Sequence, residues 1–200
     1  MSLKPGQNRL PSGLWAIASH FESEQQVADF VISASLASCW TWRRPQFSGE
    51  LQHRALKKMV ANKTTFCHGL SDWATAVGAA GVICGAQSLA PQVLRSLDND
   101  LLIGASVHSM SEAESLSNDV DFFVFGPIYD TPSKRDFLSP RGLTQLSELQ
   151  ILQKPIVAIG GVQHPDQVRA CYEHGAHAVA VLRAAHDPEL MAELCAVAPS

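Results

Sequence analysis

Residues 101–126 read LLIGASVHSMSEAESLSNDVDFFVFG. Two apolar runs, 101–107 and 122–125, flank a stretch of mixed polar and apolar residues. The runs are too short for helices and lack strict alternation, as strands buried on both faces do. The stretch between them carries Ser111 with Glu114 three residues on, the spacing of a capping box. That spacing predicts a helix opening on Ser111. A strand, a helix and a second strand follow one another with no room for a linker.

The same beat extends both ways. Apolar runs recur at 14–18, 39–42, 64–67, 81–84, 155–159 and 178–182, which with the two above makes eight. Helix starts fall between them at Ser23, Ser48 and Asp187, the last followed by Pro188. A further helix has Pro165 in its first turn and ends at Gly175, matching the preference for proline inside the start and glycine past the end. Eight strand–helix units in one chain of 200 residues predict an α/β fold, a single-domain (β/α)8 TIM barrel over 12–200. Residues 1–11 are expected to be a flexible N-terminus. The rival is a doubly wound open sheet, which needs fewer strands and whose first turn would carry GxGxxG, absent here.

Composition narrows the function. The chain is 46% hydrophobic and carries 15 basic against 19 acidic residues, a net charge of −4. Nucleic-acid binders usually show a basic excess, so no nucleic-acid partner is expected. No apolar run approaches the ~20 residues that span a bilayer, and no stretch has the order of a signal peptide. A cytoplasmic protein with no membrane partner is the expectation. The five cysteines are scattered without a CxxC pair, as in a protein with reduced thiols.

In such a barrel, function sits on the loops after the strands. Arg43 and Arg44 follow the second run, and neighbours on a strand point to opposite sides, so at most one faces the mouth. His68 and Gly69 follow the third, and Gly85 to Ser88 the fourth, with no carboxylate at either place. Ser106 and His108 share a face at the end of the fifth. An imidazole there can carry protons, or can simply be a hydrogen-bonded structural group. After the sixth run, Thr131, Ser133 and Lys134 could wrap an anion, although such residues are common in any polar loop. Gly160 and Gly161 end the seventh run and Arg183 the eighth. The loops after strands seven and eight commonly hold phosphate in this fold, and these residues fit that use.

Taken together, GASVHS, VFGPIYDTPSKRD, AIGGV and GAHAVAVLRA resemble the thiamine-phosphate synthase/TenI family, most densely from Leu101 to Arg183. The resemblance implies a (β/α)8 barrel in thiamine biosynthesis. Its synthases join an aminopyrimidine pyrophosphate to a thiazole phosphate with Mg²⁺. Its TenI branch includes a tautomerase that aromatises a thiazole carboxylate phosphate. Carried over by position, the phosphate-binding glycine falls in Gly160–Gly161, the hydroxyl and lysine loop on Thr131, Ser133 and Lys134, and the strand-five serine on Ser106. The tautomerase acid/base falls on His108 and the strand-two arginine on Arg43.

The departures concern the metal. Synthases carry an Asn-Asp pair where this chain has His68 and Gly69, and an aspartate where it has Ser88. The resemblance makes those two aspartates the Mg²⁺ ligands. Thr41 and Pro45 replace a glutamine and a lysine, and Arg183 replaces a serine. The expectation is therefore a metal-independent thiazole phosphate tautomerase, an isomerase with no cofactor and with His108 as its proton carrier. His68 is a further pocket residue. The alternatives are a synthase, which would need Mg²⁺, and a non-catalytic binder of a phosphorylated thiazole. The expected partner is that small molecule, with a homo-oligomer left open.

Overall fold

The computed structural model describes residues 10–43, 49–97, 100–131 and 139–199. Eight parallel strands close into a barrel in chain order, β1 through β8, with β8 pairing back to β1. They are β1 Gly13–Ser19, β2 Cys39–Arg43, β3 Thr65–His68, β4 Gly81–Cys84, β5 Leu102–Val107, β6 Phe122–Phe125, β7 Ile156–Ile159 and β8 Ala178–Val181. Each matches one of the eight apolar runs to within a residue or so at either end.

A helix follows every strand. These are α1 Glu24–Ser33, α2 Gly49–Asn62, α3 Ser71–Val77, α4 Pro91–Leu97, α5 Met110–Leu116, α6 Gly142–Glu148, α7 Pro165–Glu173 and α8 Pro188–Val197. The expected starts hold for α1, capped by Ser23, and α8, capped by Asp187. The predicted start at Ser48 lies outside the described residues. One start is corrected. Helix α5 is capped by Ser109, whose side chain accepts from Glu112 N, so the cap lies two residues earlier than Ser111. Both Ser109–Glu112 and Ser111–Glu114 have the S-x-x-E spacing, and β5 ending at Val107 leaves the earlier pair at the junction.

Strand alternation separates two cores. Leu14, Ala16 and Ala18 of β1 point out toward the helices, where they join Trp40, Trp42, Phe30 and Leu56. Trp15 and Ile17 point in, with Cys39, Phe66, Leu102, Phe122, Val124, Val157 and Ala180. Three rings fill the centre. Trp15 stacks on Phe66 at 5.2 Å between centroids, and Phe66 meets Phe122 edge-on at 5.4 Å. Such pairs add about 0.5–1.5 kcal/mol beyond their buried area. A Cβ on Gly104 would lie 2.3 Å from the Phe122 ring, so β5 is bare where that ring crosses it. Leu10 is buried against this inner core, and Pro11 O accepts from Trp15 Nε1 at 2.9 Å. The interior is thus filled from below, and the inward positions that remain polar lie toward the carboxyl ends of the strands. No described helix is long and apolar enough to cross a membrane.

Candidate active site at the carboxyl ends of the strands

Alternation continued to the strand ends brings several of the expected residues to one face. On β2, Cys39 lies in the inner core, so Thr41 and Arg43 share its inward side, while Trp42 packs outward. Arg43 pairs in register with Ser19 of β1. Arg43 therefore lies on the mouth side; Arg44 lies outside the described residues. His68 ends β3, and its Nε2 is hydrogen-bonded to the Thr41 hydroxyl at 3.2 Å. Thr41 itself is buried, so this bond satisfies a polar group in the upper layer of the interior.

Ser106 and His108 follow on the inward side of β5, both half-buried. The His108 ring reaches across to β6, where its Nδ1 lies 2.5 Å from the carbonyl oxygen of Gly126. Its backbone N–H donates to Glu112 Oε2 at 2.7 Å. Glu112 was not legible as part of the site, because the misplaced start of α5 assigned the capping role to Glu114.

The β6 and β7 ends are joined by main chain. Ile128 N donates to Ile159 O at 2.9 Å and Tyr129 N to Gly160 O at 3.0 Å. Gly160 and Gly161 have φ of 101° and 75°, a region that side chains rarely adopt. A Cβ on Gly160 would meet Pro127 at 2.6 Å, and one on Gly161 would meet Tyr129 and Asp130 at 2.6 Å. The glycine pair is thus required by the close passage of the β6 loop, a reason independent of any ligand.

That passage carries Thr131 to β8, where its buried Oγ1 accepts from Arg183 Nη2 at 3.4 Å. Arg183 opens a single turn of 3-10 helix, Ala184–His186. Ser133 and Lys134 lie outside the described residues. Beside Arg183, toward β1, a cavity of about 430 Å³ is lined by Ser19, His20, Gln26, Leu182 and His186. Burial against Phe21 and Phe30 lowers the His186 pKa.

The places where a synthase would carry Mg²⁺ ligands meet at one corner. A Cβ on Gly69 would lie 2.9 Å from Ser88 Oγ, so these two positions adjoin, as the two expected carboxylates would. Here Ser88 Oγ accepts from Gly85 N at 2.9 Å instead. Mg²⁺ favours carboxylate and phosphate oxygens. Neither position supplies one, and no group of three or more His, Cys, Asp or Glu side chains among the described residues could hold a metal. The corner does not fit the ion. Thiol chemistry is disfavoured as well, since burial pushes Cys67 up to about 12 and Cys84 up to about 11.

A closed eightfold barrel with polar side chains gathered at the carboxyl ends of its strands defines the class: a (β/α)8 barrel with its candidate site at that mouth. The model of the family described as thiamine monophosphate synthase matches residues 52–185. The chain is 36% identical over 149 residues to a thiamine-phosphate synthase of Anaeromyxobacter dehalogenans, covering 72% of this chain and 67% of that one. It is 31% identical over 185 residues to a thiamine-phosphate synthase of Salinibacter ruber, covering 85% and 80%. A thiamine phosphate pyrophosphorylase from Pyrococcus furiosus superposes with a TM-score of 0.75 at 22% identity, over 92% of this chain and 93% of that one, a likeness of fold. The chain belongs to the thiamine-phosphate synthase/TenI family. The names of these relatives favour the synthase activity over the tautomerase expectation.

Proposed function

We propose that this barrel acts on a phosphorylated thiazole held at its mouth, with the phosphate near Gly160, Gly161 and Arg183 and the carboxylate toward Arg43. Membership of the family supports that substrate class. Two chemistries compete for it, and they draw on different support.

The geometry favours metal-independent proton transfer, and one observation carries that reading: His108 at the mouth, with Nδ1 engaged by the Gly126 carbonyl. In a dihydrothiazole phosphate, an imidazole takes the proton from a ring carbon. The C–H electron pair becomes a ring double bond. The exocyclic double bond then takes the proton back on its outer carbon. No atom is gained or lost, and the reaction requires neither metal nor nucleophile. General acid/base catalysis of this kind contributes about 10²–10⁴-fold in rate. Ser106 and the β6-loop residues Thr131, Ser133 and Lys134 would help to hold the substrate.

The second reading is the synthase, joining an aminopyrimidine pyrophosphate to a thiazole phosphate, and it is supported by the relatives' names. The corner formed by Gly69 and Ser88 counts against its metal, and no step through Mg²⁺ is derived for this chain.

One pair of assays separates them. Incubation with both synthase substrates and Mg²⁺ is read for thiamine phosphate. Incubation with the dihydrothiazole carboxylate phosphate and EDTA is read for the aromatic product. Turnover only in the second, abolished by His108→Asn, supports proton transfer. Turnover only in the first overturns it in favour of the synthase. Binding with no turnover in either would leave a non-catalytic carrier of the same ligand.

A further inference from the structure

His108 lies one residue past the end of β5 and is held from two sides. Its ring Nδ1 lies 2.5 Å from Gly126 O, and its backbone N–H donates to Glu112 Oε2 at 2.7 Å. A carbonyl oxygen can only accept, so Nδ1 carries the proton. The neutral ring then presents its lone pair at Nε2, because the hydrogen bond at one nitrogen sets the state of the other. The acceptor is itself closely packed. A Cβ on Gly126 would lie 2.0 Å from Ile159 O, so this residue is pressed against β7.

The Glu112 contact repeats a capping geometry seen at α1 and α7, where Glu22 N donates to Gln26 Oε1 and Gln163 N to Gln167 Oε1, both at 2.7 Å; at α5 the residue so held is the mouth histidine. In a capping box, the acidic side chain three residues into the helix returns to the backbone N–H of the cap residue. Ser109 caps α5 and its Oγ accepts from Glu112 N at 3.2 Å. The Glu112 carboxylate, however, reaches one residue beyond Ser109, to the N–H of His108.

We propose that Glu112 is a positioning residue for His108. By gripping the His108 backbone it holds the ring against the Gly126 carbonyl, so that Nε2 is the atom that takes and returns the proton. This assignment rests on the proton-transfer reading above, and the experiment separates the two. The full chain is labelled with ¹⁵N-histidine, and the two His108 ring nitrogens are observed at a pH where the ring is neutral. Wild type and Glu112→Gln, which keeps an acceptor, are expected to show a protonated Nδ1 and a bare Nε2. In Glu112→Ala the two signals move toward one another. With the dihydrothiazole, kcat falls by roughly 10- to 100-fold in that variant while KM stays within about twofold, as for a misplaced catalytic group. Ser109→Ala is the control for capping alone: it lowers stability and leaves the shifts unchanged. A protonated Nε2 in wild type overturns the assignment, as does a Glu112→Ala variant with wild-type shifts and kcat. If wild type turns over no dihydrothiazole, the proton-transfer reading falls, and the nitrogen shifts alone decide whether Glu112 holds the ring.

Discussion

The two sides of the barrel mouth are made from the same strand–loop–helix unit, yet they are constrained differently. On the β6–β7 side, glycines are demanded by backbone. Gly126, Gly160 and Gly161 would each drive a Cβ to 2.7 Å or closer to atoms of the neighbouring segment. On the β3–β4 side, Gly85 has nothing within 4 Å, and Gly69, although its φ is 67°, meets only the end of the Ser88 side chain. Main-chain crowding cannot be relieved by a single substitution, whereas side-chain contacts can be exchanged one at a time. The second side is also the one that lacks the carboxylates of the family's synthases. The departure from the family pattern thus falls where main-chain crowding does not set the constraint.

The sharpest way to break this contrast is a pair of alanines. Gly126→Ala is expected to cost about 3 kcal/mol in urea unfolding, the upper end of the usual range for forced overpacking. Gly85→Ala should stay within about 0.5 kcal/mol. Equal losses would show that the two sides are equally constrained. Cysteine reactivity tests how deep the contrast reaches. Cys67 and Cys84, under the β3–β4 side, and Cys171, on α7 behind β7, are all buried, with thiols raised to about 12, 11 and 11. At pH 8 all three should react with a thiol reagent over about a hundredfold more slowly than in the unfolded chain, and the half-buried Cys195 should react first. Fast labelling of Cys67 or Cys84 alone would extend the difference below the mouth.

Smaller effects are expected from pH and metal. Burial depresses the His186 pKa, so the unfolded chain binds that proton more readily than the folded one. The stability it affects is full above the unfolded value of about 6.5 and declines as pH falls through it toward the lower folded value. His186→Gln should flatten the stability profile across that window, and an unchanged slope would rule the assignment out. Millimolar Mg²⁺ against EDTA should leave the melting temperature unmoved, because an ion that does not bind the native state does not stabilise it. A rise of several degrees would show that other groups hold the ion.

The strands were legible because each is a short apolar run buried on both faces, as FFVF and GVIC are. Helices α1, α7 and α8 were legible from Ser23, from Pro165 with Gly175, and from Asp187 with Pro188. Helices α3 and α6 announce nothing comparable: Leu70 and Arg141 stand at their caps with no side-chain hydrogen bond. The inward face shared by Ser106 and His108 could be read from period two alone. The bond between His68 and Thr41, the bridge from Arg183 to Thr131 and the crowding at Gly160–Gly161 could not, since each depends on segments far apart in the chain meeting at a closed barrel.

Gly126 serves two purposes with one peptide unit. Its missing side chain lets β6 close against β7, and its carbonyl receives the His108 ring. A lineage selected only to keep its barrel shut therefore inherits the hydrogen-bond acceptor as well. Descendants that have fallen silent will retain this glycine as faithfully as active ones. The history of the activity is better traced at a position such as 88, where the fold exerts no comparable hold.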